Sequence, residues 1–162
     1  MSQDLWNKNE RHRGEFSLAR IVKRGDELFQ MSFKILDLSP LKKALTSLDA
    51  ALAEPKTEFV RDSAIQRFEY TYELAWKMLK RQLERDEGSE NVDHLGRKDL
   101  YRLAAEKGLI TDVEAWFQFH ADRNRTSHTY NESTAEDVYQ TACRFAPAAH
   151  ALLAELEKKN HD

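Results

Sequence analysis

Cys143 is the only cysteine, so the chain cannot close an internal disulfide, and no Cys/His cluster has the spacing of zinc ligands. On a helix such a residue reads as a small, half-buried apolar side chain. Glycine and proline are scarce as well, five and three in 162 residues, which leaves little material for the many turns of an all-β sandwich. No apolar run approaches the ~18 residues that a membrane helix needs, so no span is expected. The first residues are broken by charges throughout and lack the apolar core of a secretory signal; a cytoplasmic protein is expected. A basic excess is missing too. The net charge is -3, which argues against a broad, sequence-blind nucleic-acid coat and leaves room for a local basic site.

What is present is a chain of ordinary single-domain length, 33% charged and 41% hydrophobic, the mixture expected of amphipathic helices around one core. Residues 1–36 stand apart. They mix both charge signs with scattered apolar positions, and only Ser17 to Phe29 suggests a short helix. They read as an N-terminal extension, with Met31 a candidate start of the ordered pattern, and residues 37–160 read as the domain.

In that domain the helices announce themselves. Ser39-Pro40 is an N-cap followed by proline at the first helical position, and Leu41, Leu45, Leu48 and Leu52 form one stripe that Pro55 ends. A second helix runs from Thr57 to about Glu87, stopped by Gly88. Its face holds Val60, Ala64, Phe68, Tyr72, Ala75, Trp76, Leu79 and Leu83, widened by Ile65, Tyr70, Leu74 and Met78. A face that wide needs more than one neighbour. Residues 88–96 read as a polar loop, Arg97 to Lys107 as a helix capped by Gly108, and Thr111-Asp112 as the cap of a helix reaching Arg123. Ser133 with Glu136 three residues on has the capping-box pattern and opens a last helix, which Pro147 should kink. Short loops between long amphipathic helices favour antiparallel neighbours, so the expected fold is an all-α, antiparallel up-and-down bundle of four to five helices.

The segment Arg123 to Tyr130 carries the residue types of phosphodiester chemistry. Arginine grips phosphate bidentately, and histidine moves a proton near neutrality. Asn124 is placed to orient the imidazole; Tyr130 offers a hydroxyl and a stacking face. RNA brings its own nucleophile, the 2′-hydroxyl, so neither a metal nor a cofactor is required. Five residues separate Arg123 from His128, about 140° on a continuous helix, so they face different ways unless the helix ends between them or two copies meet across a two-fold axis. Thr126, Ser127, Thr129 and Asn131 are poor helix formers, which permits an end there. Arg123, Ser127 and Tyr130 share a face at helical spacing. The same residue types also serve as caps and solvated surface. His120, Asn124 and His128 would align on a continuous helix, but no carboxylate stands at matching steps and no metal site is expected. The stripe Phe68, Tyr72 and Trp76 reads either as core or as the lining of a groove for a base or a partner helix.

Arg123 to Tyr130 matches the pattern Arg-x4-His-x-Tyr, with a polar residue, Asn124, directly after the arginine. In this it resembles the HEPN superfamily. The run Ile65 to Lys77, with its Arg-Phe-Glu-Tyr-Thr-Tyr-Glu-Leu-Ala-Trp-Lys core, is similar to the nucleotidyltransferase substrate-binding-protein-like branch, close to the HepT toxins. The resemblance spans about Leu36 to Lys159. It implies a homodimeric helical bundle partnered by a separate minimal nucleotidyltransferase. On the HepT side it implies a metal-independent RNase toxin, with Arg123 and His128 as the catalytic pair, Asn124 in support, and Tyr130 as the target of silencing by AMPylation. On the older reading of the family it implies a non-catalytic substrate-binding subunit whose cleft aromatics hold the acceptor.

Overall fold

The computed structural model describes residues 35–161. The expected extension and its helix at Ser17–Phe29 lie outside the described residues. From Leu36 onward the chain is one compact unit, and the described residues contain six α-helices and no strand. They are α1 (Ser39–Ala53), α2 (Glu58–Glu87), α3 (Ser89–Val92), α4 (Arg97–Glu106), α5 (Val113–Asn124) and α6 (Glu132–His161), with a 3-10 turn at Thr126–His128 between the last two. The all-α, antiparallel bundle is as expected, with one helix more than the four or five foreseen. The addition is α3, a single turn in the stretch read as a polar loop; it buries Val92 completely.

α2 is the central element. It begins where Thr57 accepts a hydrogen bond from the Val60 N–H at 3.1 Å, and it ends at Gly88, whose φ of 89° suits a residue without a side chain. α1 and α6 both pack along it, and Ala64, Phe68, Tyr72, Ala75, Leu79 and Leu83 along its inner side are fully buried. α4 and α5 pack on each other and on α2. None of the described helices is long and apolar enough to cross a membrane.

The core is aromatic at its centre. Phe145 of α6 lies edge-on to Phe68 at 5.2 Å, Phe119 at 5.3 Å and Trp116 at 5.9 Å between ring centroids. Such tilted contacts add to the burial of large apolar area. One side chain therefore ties α2, α5 and α6 together, which fixes the axis on which the Arg123 segment sits.

Two caps differ from expectation. Ser39 does not cap α1; it is the first helical residue, the cap position is Leu38 with no side-chain acceptor, and the Asp37 carboxylate takes the Ser39 N–H at 3.0 Å. Ser133 does not cap α6 either. The Asn131 side-chain carbonyl takes the Ser133 N–H at 3.0 Å and the Thr134 N–H at 3.2 Å, because asparagine two residues before Ser133 reaches both free amides. Glu136, expected to close the capping box, instead holds Lys56 at the mouth of α2. Pro147 lies inside α6, which continues past it to His161.

Candidate functional site

α5 ends at Asn124, between Arg123 and His128. Asp112 starts this helix by accepting from the Ala115 N–H at 3.0 Å, and the poor helix formers after Asn124 tighten the chain into the 3-10 turn. The turn is held locally. Thr126 donates its hydroxyl to the Arg123 carbonyl at 2.9 Å, and Thr129 donates to that of Thr126 at 3.0 Å. The His128 N–H bonds the Arg125 carbonyl at 2.9 Å.

The turn is also clamped to its surroundings through Asp122, only 2% exposed. Its Oδ2 accepts from Thr141 of α6 at 2.7 Å and from Gln118 at 2.8 Å. Its Oδ1 accepts from Arg125 at 2.9 Å, and Arg125 reaches on to Asp137 at 3.0 Å. Asp122 thus ties the last turn of α5, the start of the 3-10 turn and the third helical turn of α6 into one unit.

Arg123 points toward α2. Its Nε lies 2.8 Å from Glu73 and its Nη2 3.4 Å from Glu69. The Nε–H does not aim at the Glu73 oxygen, so this is a charge pair without a hydrogen bond. The other Glu73 oxygen accepts from the Trp76 indole at 2.9 Å. On the far side of Trp76, the Arg97 guanidinium of α4 stacks 3.6 Å from the ring centroid. Beneath them is a buried polar knot. Tyr72 Oη bonds Tyr101 Oη, receives Arg97 Nη1 at 2.8 Å and meets His120 Nδ1 at 3.0 Å. Burial, with Tyr72 next to it, pushes the Tyr101 hydroxyl far up, so it stays protonated. Burial, and then the positive charge of Arg97, lower the His120 pKa; Glu73 opposes them, and Arg123 adds the smallest effect, downward.

The expected site residues therefore fall into two groups. Arg123 and Trp76 share the Glu73 carboxylate. Asn124, Ser127, His128 and Tyr130 are all exposed on the turn beside them. Tyr130 is 88% exposed, and its ring stands edge-on to His128 at 6.2 Å. The end of α5 breaks the helical faces that Asn124–His128 and Arg123–Ser127–Tyr130 would share on a continuous helix. Phe68 and Tyr72 line no groove. Both are fully buried, because α2 turns that side to α5 and α6. Trp76 alone of the stripe stays part-exposed. Glu69, Glu73, Arg97, Tyr101 and Asp122 were not foreseen. The only trace of them in the sequence is that Glu69, Glu73 and Trp76 follow one another at steps of four and three on one face of α2.

Residues 36–158 match the family described as nucleotidyltransferase substrate binding protein like. The chain belongs to this family. The resemblance drawn from Ile65–Lys77 and Arg123–Tyr130 thus holds. Among its relatives, a Haemophilus influenzae protein named probable ribonuclease HepT is 41% identical over 98 residues, which cover 60% of this chain and 67% of that relative. A solved Haemophilus influenzae structure, described as the fold of a substrate binding domain of a nucleotidyltransferase, is 34% identical. It superposes with a TM-score of 0.70 over 75% of this chain and 99% of its own. A crystal structure from Thermus thermophilus is 35% identical, with a TM-score of 0.63 over 72% of this chain and 98% of its own.

Proposed function

We propose that this member of the nucleotidyltransferase substrate-binding-like family is a metal-independent endoribonuclease of the HEPN type. It is the toxin half of a cytoplasmic two-gene module whose other half is a minimal nucleotidyltransferase. The observation that carries the reading is the end of α5 at Asn124, which frees His128 from the opposite side of the helix that bears Arg123. An intact Arg-x4-His-x-Tyr segment and the relative named probable ribonuclease HepT support it.

The chemistry follows from the side chains. Arg123 binds the scissile phosphate, exchanging its contacts with Glu69 and Glu73 for bidentate contacts to phosphate oxygens. His128 takes the proton of the RNA 2′-hydroxyl, whose oxygen attacks phosphorus. The bond from phosphorus to the 5′-oxygen breaks, that oxygen takes up a proton, and a 2′,3′-cyclic phosphate remains. Asn124 supports the pair from the last position of α5. A homodimer brings two such segments together across a two-fold axis. Tyr130, open to solvent, is the acceptor at which the partner adds AMP, placing a bulky anion next to Arg123 and His128 and closing the site to RNA. On this reading residues 37–160 are the working domain and residues 1–36 an extension to it.

A second reading has one observation in its favour. The Arg123 charge is already met by two carboxylates, as suits a chain that binds and does no chemistry, the substrate-binding subunit of a two-component nucleotidyltransferase. Incubation of purified wild type and His128→Ala with a fluorogenic RNA separates the two. The nuclease reading expects cleavage by the wild type in the presence of a chelator and a loss of at least about a hundredfold in the variant, as for removal of a general base. Equal behaviour of the two proteins refutes it.

A further inference from the structure

Arg97 is a half-buried cation to which the proposed cleavage chemistry assigns no task. A guanidinium taken this far from water normally meets a carboxylate. Among the described residues Arg97 has none. Glu73, which shares Trp76 with it, spends its two oxygens on Trp76 and Arg123. Instead the Arg97 guanidinium lies over the Trp76 indole at 3.6 Å and donates to Tyr72 Oη at 2.8 Å, with the Tyr101 hydroxyl as a second partner. Most of its five donors are left without a partner.

The rest of α4 continues the pattern. Lys98 and Arg102 stand over the half-buried Phe117 ring at 5.3 Å and 5.4 Å, Arg102 being paired with Asp99 at 2.7 Å. Cations on α4 thus stand over part-exposed aromatic rings of both α2 and α5. Arg123 is linked to Arg97 through Glu73 and Trp76.

We propose that Arg97, seated on Trp76, is a second phosphate subsite for a single-stranded RNA, lying outside the Arg-x4-His-x-Tyr segment. It binds the strand one step away from the phosphate at Arg123. The planar fork gives bidentate contacts to phosphate oxygens. The exposed parts of Trp76 and Phe117 offer stacking faces to unpaired bases. A partner protein's acidic patch would use the cations and leave the rings idle, so the pairing of the two favours RNA. The proposal deepens the nuclease reading and rests on it for the identity of the strand.

The test is fluorescence anisotropy with a short 2′-O-methyl RNA, which has no free nucleophile, titrated at several salt concentrations. The proteins are wild type, Arg97→Gln, Arg97→Lys and, as a control on the exposed face of α1, Lys43→Gln, each with its melting temperature. Arg97→Gln is expected to weaken binding about tenfold and to lower the slope of log affinity against log salt by about 0.7, one single-strand phosphate contact. Arg97→Lys, which keeps the charge and loses the fork and the stack, falls between it and wild type. Lys43→Gln changes neither quantity. Wild-type affinity and slope in Arg97→Gln overturn the subsite. If that variant melts early, Arg97→Lys decides, since unweakened binding by a stably folded Arg97→Lys overturns it equally. RNA cleavage by the wild type with Arg97-independent binding removes the subsite and leaves the nuclease. Arg97-dependent binding without cleavage removes the nuclease and leaves the subsite. Neither binding nor cleavage removes both.

Discussion

Replacing Asp122 by alanine removes the clamp under the 3-10 turn, and its cost is worked from three contacts. The hydroxyl of Thr141, fully buried, loses its acceptor at 2.7 Å and keeps only the donor Arg144 at 2.9 Å; a buried donor left unsatisfied costs about 1–3 kcal/mol. The Gln118 amide loses its 2.8 Å acceptor, but Gln118 is exposed and water replaces most of that bond. Arg125 loses a 2.9 Å ion pair, yet its side chain is 41% exposed and it keeps Asp137. That contact is therefore discounted to about 0.5 kcal/mol, the scale of surface pairs. The total is about 1.5–3.5 kcal/mol. Urea unfolding followed by far-UV circular dichroism at neutral pH measures it. Thr141→Val, which removes the hydroxyl and keeps the volume, closes a double-mutant cycle. The two substitutions share one hydrogen bond, so their effects should fall short of additivity by about 1 kcal/mol. Because the His128 N–H hangs on the Arg125 carbonyl, amide exchange at His128 should also quicken in Asp122→Ala. A destabilisation under about 1 kcal/mol, strict additivity and an unchanged His128 amide would together refute the clamp.

Phe145→Ala should cost about 3–5 kcal/mol in the same unfolding assay, since the ring touches Phe68, Trp116 and Phe119 at the centre of the core; a loss below about 2 kcal/mol would mean that the cavity collapses and that the ring does not tie the helices. Stability should fall as the solution is acidified below about pH 6.5, the ordinary histidine value. The folded state holds the His120 pKa down, first by burial and then by Arg97. It therefore binds fewer protons than the unfolded chain between the two pKa values, and stability rises with pH across that window and is complete above it. Urea midpoints between about pH 7.5 and 5 should show a shallower slope for His120→Gln, and identical slopes would exclude His120 as the source.

The helices were legible because their causes are local. The leucine stripe of α1, the run from Ala64 to Leu83, Thr57 before α2 and the glycines at 88 and 108 act within one or two turns of where they stand. Caps were less legible, because Asn131 and Ser133 are both good acceptors and only the path of the chain decides which reaches the free amides. The Arg123–Tyr130 segment was legible as one contiguous pattern; its poor helix formers permitted the helix end that the structure has, with a two-fold partner as the other way to bring Arg123 and His128 together.

From the sequence alone came an all-helical bundle, its family, and the contiguous stretch from Arg123 to Tyr130, since periodicity, punctuation and contiguous motifs are properties of neighbours along the chain. Tertiary structure alone decided what surrounds that stretch. Glu69 and Glu73 come to Arg123 from a helix far earlier in the chain. Thr141 comes to Asp122 from the helix that follows. Arg97 settles on Trp76, and Phe68 and Tyr72 turn inward while Trp76 stays at the surface. Each of these depends on how helices rotate about their axes as they pack. That rotation minimises exposed apolar area over the whole bundle and leaves no mark in any single window of residues.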